Sequence, residues 1–175
     1  RVALGAVARS FLAEVGGISV LSHVVRIGGA SVDLPTPPDA DRAGHIDDDP
    51  VRCADAAGSA AMQEEIAAAH RDGDTLGGVV EVVVHGLPPG LGSHVHWDRR
   101  IDARISAALM GIQAMKGVEF GDGFTLAHVR GSAAQDEIVS GAQGLARTSG
   151  HSGGTEGGMT TGEVLRVRAA MKPIS

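Results

Sequence analysis

Two histidines and an aspartate occupy alternate positions in the segment HVHWD (94–98). Alternate side chains of an extended segment point the same way, and several metallohydrolases begin their metal sites with such a pattern. Two arginines follow directly, and their positive charge opposes a bound cation. Asp98 also suits the N-cap of a following helix. The pattern therefore favours a solvated turn that leads into a helix, with a metallohydrolase site at His94, His96 and Asp98 as the alternative.

The segment GGTEGGMTTG (153–162) contains five glycines in ten residues. Without Cβ atoms, its backbone N–H groups could approach a ligand closely and form a concave nest for an anion. A merely flexible loop is the alternative, and the segment alone does not decide between them. The pair Gly90 and Gly92 lacks the third glycine of a dinucleotide fingerprint, and no phosphate-binding loop that ends in Gly-Lys-Ser/Thr occurs. The sequence thus argues against ordinary ATP or GTP binding.

The segment KPIS (172–175) follows a strand-like run. Lys172 supplies a compact positive charge, Pro173 fixes the chain direction and Ser175 supplies a hydroxyl donor. Such a group at a strand end suits a phosphate or the edge of a flavin. An exposed lysine at a turn is the alternative.

The composition excludes several classes of protein. Of 175 residues, 43% are hydrophobic but only 2% aromatic, so a core of aliphatic side chains is expected. The net charge of −6 and the lack of basic runs argue against nucleic acid as a partner. No apolar run approaches the ~20 residues of a membrane helix. The single cysteine, Cys53, excludes an internal disulfide, fits a reducing, cytoplasmic location, and is interpreted as inert.

Hydrophobic periodicity predicts an α+β fold with helices and strands in irregular order. Residues 28–58 hold four of the seven prolines and are interpreted as a surface excursion. Both ends look cut, because the first residues already have a helical pattern and the chain stops after a strand-like run. The predicted helices are 2–15, 59–71 and 99–115, the last capped by Asp98, and the predicted strands are 18–27, 78–85, 124–130 and 164–170, with a long loop at 141–162.

Several stretches, in order, resemble one family, the chorismate synthases. They cover nearly the whole chain except about 28–58, where the family tends to vary. The resemblance implies one partial domain over 1–175, a β-α-β sandwich of antiparallel sheets around helices, and identifies the chain as an internal piece of such an enzyme. The matching strings are RVALGAVARSFL (1–12), GDTLGGVVEV (73–82), GLPPGLGSHVHWDRRIDARISAALMGIQAMKGVEFGDGF (86–124), GGTEGGMTTGE (153–163) and RAAMKPIS (168–175).

The resemblance also implies a chemistry. The family eliminates phosphate from 5-enolpyruvylshikimate-3-phosphate in an anti-1,4 sense and needs reduced FMN, which lends electron density transiently. The family is homotetrameric, and NADP is associated with it. The cofactor-binding residues carried over by matching motif are Gln113, Ala114, Gly157, Lys172, Pro173, Ile174 and Ser175.

No catalytic acid or base and no metal ligand is carried over. The family's Gly-Glu-Ser-His-Gly, arginine-rich, Arg-Pro-Gly-His-Ala-Asp and late Arg-x-Asp segments do not occur here. Ser149-Gly150 stands where the family usually has Ser-Asn, and Gln135 stands where it often has His. We therefore expect no turnover from the isolated chain, and a non-catalytic module that binds flavin or a phosphorylated metabolite is the alternative.

Overall fold

The computed structural model describes residues 1–34, 36–141 and 144–174. Three short 3-10 turns, Ala40–Arg42, Trp97–Arg99 and Gly123–His128, join the regular elements. In chain order these elements are α1 (Val2–Gly16), β1 (Ser19–Ile27), β2 (Ala30–Ser31), α2 (Ala43–Asp48), α3 (Ala56–Asp72), β3 (Gly78–His85), α4 (Ile101–Met110), β4 (Met115–Phe120), α5 (Gly131–Ala134), β5 (Ile138–Gly141), β6 (Gly144–Arg147), β7 (Thr155–Glu156), β8 (Met159–Thr160) and β9 (Leu165–Met171).

Five strands form the main sheet in the order β2-β1-β3-β9-β4. Every neighbouring pair in it is antiparallel. Two small hairpins, β5–β6 and β7–β8, lie outside this sheet. The predicted α+β class is confirmed, and the Val-rich run at 78–85 is a strand with the predicted bounds.

The two faces of the main sheet differ in chemistry. A polar row crosses one face, because His23 is paired with Glu81, Glu81 with Arg168 and Arg168 with Glu119. Leu165, Val167 and Ala169 of β9 alternate with the arginines, lie on the other face and are buried. The sheet therefore carries an apolar core on one side and buried charges on the other.

The helix ends follow local capping chemistry. The backbone of Gly17 is left-handed and ends α1, where the sequence predicted a stop. Asp55 caps α3 by accepting a hydrogen bond from the Gly58 N–H at 2.7 Å. Met62 of α3 is fully buried, and this helix packs over β1 and β2. In the part of the chain that the structure describes, none of the helices is both long and apolar enough to span a bilayer.

Three predictions about the segment 97–130 are wrong. Asp98 lies in a 3-10 turn and does not cap α4, which begins at Ile101 and ends at Met110. The helix predicted to reach 115 gives way to β4, which pairs with β9 along the sheet edge. Residues 124–130, predicted as a strand, are mostly a 3-10 turn. Pairing with β9 overrides a weak local preference in β4, whose sequence MKGVEF has one β-branched residue.

The predicted surface excursion of 28–58 also contributes to the core. It contains β2 and α2, and its residues Ile46 and Cys53 are only 0% and 2% exposed. Burial raises the pKa of the Cys53 thiol, which keeps it protonated. Likewise, the loop predicted at 141–162 contains β6, β7 and β8.

Candidate cofactor-binding site

The turn between α4 and β4 contains the first two predicted cofactor residues, Gln113 and Ala114. The backbone of Ala114 has φ of 68°, a left-handed conformation that costs a non-glycine residue about 1–2 kcal/mol. The carbonyl of Ala114 accepts a hydrogen bond from the N–H of Lys172 at 3.0 Å. Strained backbone of this kind is found preferentially where the structure must hold a functional group in place.

The next three residues of the predicted set, Lys172 to Ile174, follow the end of β9. Because β4 and β9 are antiparallel and pair Met115 with Met171, the start of one strand meets the end of the other. Lys172 and Ile174 are exposed, so the lysine ammonium is free to meet a ligand. Pro173 lies against the backbone of Gly77, where an added Cβ would stand 3.0 Å from the proline Cδ. Ser175 lies outside the described residues.

Gly157 occupies the turn of the β7–β8 hairpin. Gly157 and Gly158 both have positive φ, of 59° and 87°, as the tightest hairpin turns require. The Gly158 carbonyl accepts hydrogen bonds from the N–H groups of Ser93 at 3.3 Å and Ile101 at 2.9 Å, which fastens the turn to the start of α4. A Cβ at Gly157 would meet nothing within 4 Å, so its backbone faces open space.

Helix α4 separates the predicted residues into two groups. Gly157 lies near its first residue, and the turn at Gln113 and Ala114 follows its last. Ten helical residues span about 15 Å at 1.5 Å each. The structure therefore brings Gln113 and Ala114 together with Lys172, and places Gly157 one helix length away.

A clasp of hydrogen bonds around Asp136 was not predicted. The Asp136 carboxylate accepts from Ser149 Oγ at 2.6 Å, from the N–H of His151 at 2.8 Å, and from the N–H and Oγ of Ser152 at 2.8 and 2.5 Å. Burial acts to raise the pKa of Asp136, but hydrogen bonds from Ser149, Ser152 and the backbone outweigh it and lower the pKa to about 2. Beside it, His151 Nδ1 lies 2.6 Å from Asp122 Oδ2. Ser149, which directly precedes the departure from the family pattern at Gly150, is thus part of this clasp.

A second cluster that was not predicted lies in the main sheet. Glu81 is 1% exposed and lies 2.9 Å from His23 Nε2, 3.2 Å from Arg166 and 2.8 Å from Arg168. A cavity of about 530 Å³ adjoins this cluster and is lined by both arginines and by Glu119, but by none of the predicted cofactor residues. The partners are 58 to 87 positions apart in sequence, so no local pattern could reveal the cluster.

The segment HVHWD (94–98) is exposed, and the side chain of Trp97 is 81% exposed. Across 1–34, 36–141 and 144–174, no group of three or more His, Cys, Asp or Glu side chains is placed to hold a metal ion. Arg100 pairs with Asp102 at 2.5 Å in the first turn of α4. The geometry of these residues is that of a solvated turn before a helix.

The fold matches one class of protein. A family model described as chorismate synthase matches residues 1–175. A crystal structure of a chorismate synthase superposes with a TM-score of 0.91 at 43% identity, covering 99% of this chain and 54% of that one. The chain belongs to the chorismate synthase family.

Curated relatives agree in sequence. The chorismate synthase of a Nocardioides species is 67% identical over 178 residues, covering 100% of this chain and 45% of that protein. That of Acidothermus cellulolyticus is 68% identical, again covering 100% of this chain and 45% of that protein. The chain therefore spans about half the length of the curated relatives it matches.

Proposed function

We propose that this chain forms part of a chorismate synthase, the lyase that eliminates phosphate from 5-enolpyruvylshikimate-3-phosphate to give chorismate in the last step of the shikimate pathway. The observation that carries the proposal is the 67% identity with a curated chorismate synthase along the whole chain. The backbone hydrogen bond between Lys172 and Ala114 supports the proposal, because it brings together two family-like motifs that lie 58 positions apart in the sequence. We also propose the family's homotetrameric assembly, its association with NADP and a cytoplasmic location for the whole enzyme.

We further propose reduced FMN as the cofactor, held by Gln113, Ala114, Gly157 and the segment 172–175. The residues present fit such a group on three counts. Lys172 is exposed and offers a cation to a phosphate, Ala114 keeps a strained backbone, and Gly157 presents bare backbone to open space. The two groups lie one length of α4 apart, about 15 Å, which suits an elongated ligand with a ring at one end and a phosphate at the other.

In this arrangement the chain binds and orients, and the flavin would supply transient electron density to the substrate. Lys172 would neutralise negative charge on the bound cofactor, and backbone groups of the Gly157 turn would approach it without steric hindrance. We assign no acid or base to this chain, since the family's histidine segments do not occur in its sequence. We therefore propose that the isolated chain does not turn over substrate.

Cofactor binding can be tested with the two lysines of the chain. Lys172→Gln should weaken FMN binding about tenfold, because one charge-assisted contact is lost. Lys116→Gln is the matched control, since Lys116 is also exposed but lies within β4. Flavin fluorescence titration measures both variants. Equal affinities for FMN in the two variants would contradict the assignment of Lys172.

The reaction itself can be tested in a chimera. This chain would replace the matched segment of the Nocardioides enzyme, and chorismate formation would be measured against the unaltered enzyme. Turnover by the chimera is the expected result. A chimera that folds and binds FMN but forms no chorismate would favour the alternative, a non-catalytic module that binds flavin or a phosphorylated metabolite.

A further inference from the structure

The glycine-rich segment 153–162 requires something to hold it in one conformation. Glycine loses more conformational freedom on ordering than any other residue, so five glycines in ten positions weaken the intrinsic order of a loop. Gly157 could present its backbone to a cofactor only if the preceding chain directs the hairpin there. The four residues just before the segment, 149–152, make no regular strand or helix.

The Asp136 carboxylate accepts hydrogen bonds from three of those four residues. Each of its oxygens accepts two hydrogen bonds, Oδ1 from Ser149 and the backbone of His151, and Oδ2 from the backbone and hydroxyl of Ser152. Asp136 itself is 8% exposed. Hydrogen bonds to a charged acceptor in a sheltered place are stronger than neutral ones, so this clasp is a strong local restraint.

The clasp leads directly into the hairpin. Gly153 and Gly154 follow Ser152 directly. The Gly153 carbonyl accepts a hydrogen bond from the N–H of Arg166 at 3.1 Å, and the Gly154 carbonyl accepts one from the N–H of Thr161 at 3.0 Å. Only five positions separate Ser152 from Gly157. The chain is therefore restrained from the carboxylate to the β7–β8 turn, and the Gly158 carbonyl of that turn accepts a hydrogen bond from the N–H of Ile101 at the start of α4.

We propose that Asp136 is a positioning residue for the cofactor: it aligns Ser149, His151 and Ser152 so that the backbone of Gly157 faces the bound flavin. This inference rests on the proposed function, in which Gly157 contacts FMN. Asp136 does not touch the cofactor and acts through the loop.

An asparagine cannot replace this carboxylate. One amide oxygen can serve one pair of donors, but the NH2 group then points at the other pair. The serine hydroxyls can rotate to accept, whereas the backbone N–H of His151 or of Ser152 is left without its acceptor. Asp136→Asn should therefore loosen the loop while keeping the volume of the side chain.

The test measures FMN affinity and amide hydrogen exchange in the whole chain. Asp136→Asn should weaken FMN binding about tenfold and speed exchange at residues 150–158. Glu137→Gln is the matched control, because it removes the neighbouring exposed charge and should change neither quantity. If Asp136→Asn fails to fold, Ser149→Ala removes a single donor and should weaken FMN binding about threefold.

A double-mutant cycle separates positioning from general stability. In a Gly157→Ala background, Asp136→Asn should cost little further FMN affinity, because the contact it supports is already impaired. Full additivity would overturn the inference, as would FMN binding by Asp136→Asn equal to that of the unsubstituted chain. No FMN binding by the unsubstituted chain would overturn the assignment of the FMN site to this chain, whereas normal FMN binding by Asp136→Asn would overturn only the role of Asp136.

Discussion

Glu81 is the buried carboxylate on which His23, Arg166 and Arg168 converge. Burial acts to raise the pKa of Glu81, but the hydrogen bond from His23 and the two arginine charges outweigh it and lower the pKa from 4.5 to about 2. Removing one member of such a network leaves a buried charge without its partner. This destabilises the fold more than replacing the whole network with apolar side chains would. The charge on Glu81 is therefore a requirement for the stability of the sheet.

This requirement predicts loss of stability in acid. A carboxyl group with a lowered folded pKa stabilises the fold above its unfolded pKa, and this contribution is lost as pH falls from 4.5 towards about 2. Loss of the Glu81 contribution alone should lower the free energy of unfolding by roughly 3 kcal/mol across that window, and protonation of Asp136, whose pKa is also lowered to about 2, adds to the fall. Urea unfolding at a series of pH values measures it.

Glu81→Gln should remove the part of this pH dependence that comes from Glu81, leave the part that comes from Asp136, and lower stability at neutral pH by roughly 3 kcal/mol. The control is Glu64→Gln on the exposed side of α3, which should retain the acid transition. The same pH dependence in Glu81→Gln as in the unsubstituted chain would place its source elsewhere.

Replacing Ala114 is expected to raise the free energy of unfolding, whereas replacing Glu81 lowers it. Glycine adopts a φ of 68° without strain, so Ala114→Gly should raise the free energy of unfolding by about 0.5–1 kcal/mol. Ala107→Gly, in an exposed part of α4, should lower it by about 1 kcal/mol. Thermal unfolding of both variants measures the difference. Destabilisation by Ala114→Gly would mean that the methyl group contributes packing that outweighs the backbone strain.

The sequence predicted the roles of single residues only where they lie in a long motif. The likeness of the segments around Gln113 and Lys172 to one family allowed both to be proposed, and the antiparallel pairing of β4 with β9 then placed them together. For Asp136 and Glu81 the sequence predicted no role. Their importance comes from donors that the fold brings from 13 to 87 positions away, which no local pattern contains.

Elements with a strong internal pattern were predicted well. The Val-rich β3 and the amphipathic α1 have bounds within a residue of those predicted. The edge strand β4 was missed, because its residues have little strand propensity and only pairing with β9 makes them extended. The hairpins β5–β6 and β7–β8 were missed for a similar reason, since their strands are two to four residues long.

Gly121 directly follows β4 and lies against the backbone of the segment that donates to Asp136. The two backbones can approach this closely only because residue 121 has no Cβ. A Cβ at Gly121 would collide with backbone atoms of His151 and Gly153, and φ at Gly121 is 55°. Gly121→Ala should therefore lower the free energy of unfolding by about 3 kcal/mol or more, because backbone on both sides must move.

Gly73→Ala is the matched control for Gly121→Ala. Its φ is 67°, but a Cβ there would meet nothing within 4 Å. This variant should lose only about 1 kcal/mol, the cost of the left-handed backbone alone. Chemical denaturation compares the two. Similar losses would mean that the close approach at Gly121 relaxes easily and does not depend on the absence of a Cβ.

At the scale of the whole molecule, α1 is oriented with its large apolar side chains away from the rest of the described chain. The groove between α1 and β1 is lined by Ala6, Arg9, Ser10 and Ala13. The opposite side carries Leu4, Val7, Phe11 and Val15, which are 62–76% exposed. Contiguous apolar surface of this kind usually marks a contact between protein surfaces.

We expect this stripe to make the isolated chain self-associate at micromolar concentrations. Phe11→Glu places a charge at the centre of the stripe and should shift the sedimentation coefficient towards that of a monomer, with little change in melting temperature because Phe11 is 62% exposed. Gly5→Glu introduces the same charge on α1 at least about 80° from every residue of the stripe, at a position where an added Cβ meets nothing within 4 Å, and should leave association unchanged. A monomeric unsubstituted chain, or equal effects of the two substitutions, would mean that α1 does not mediate association.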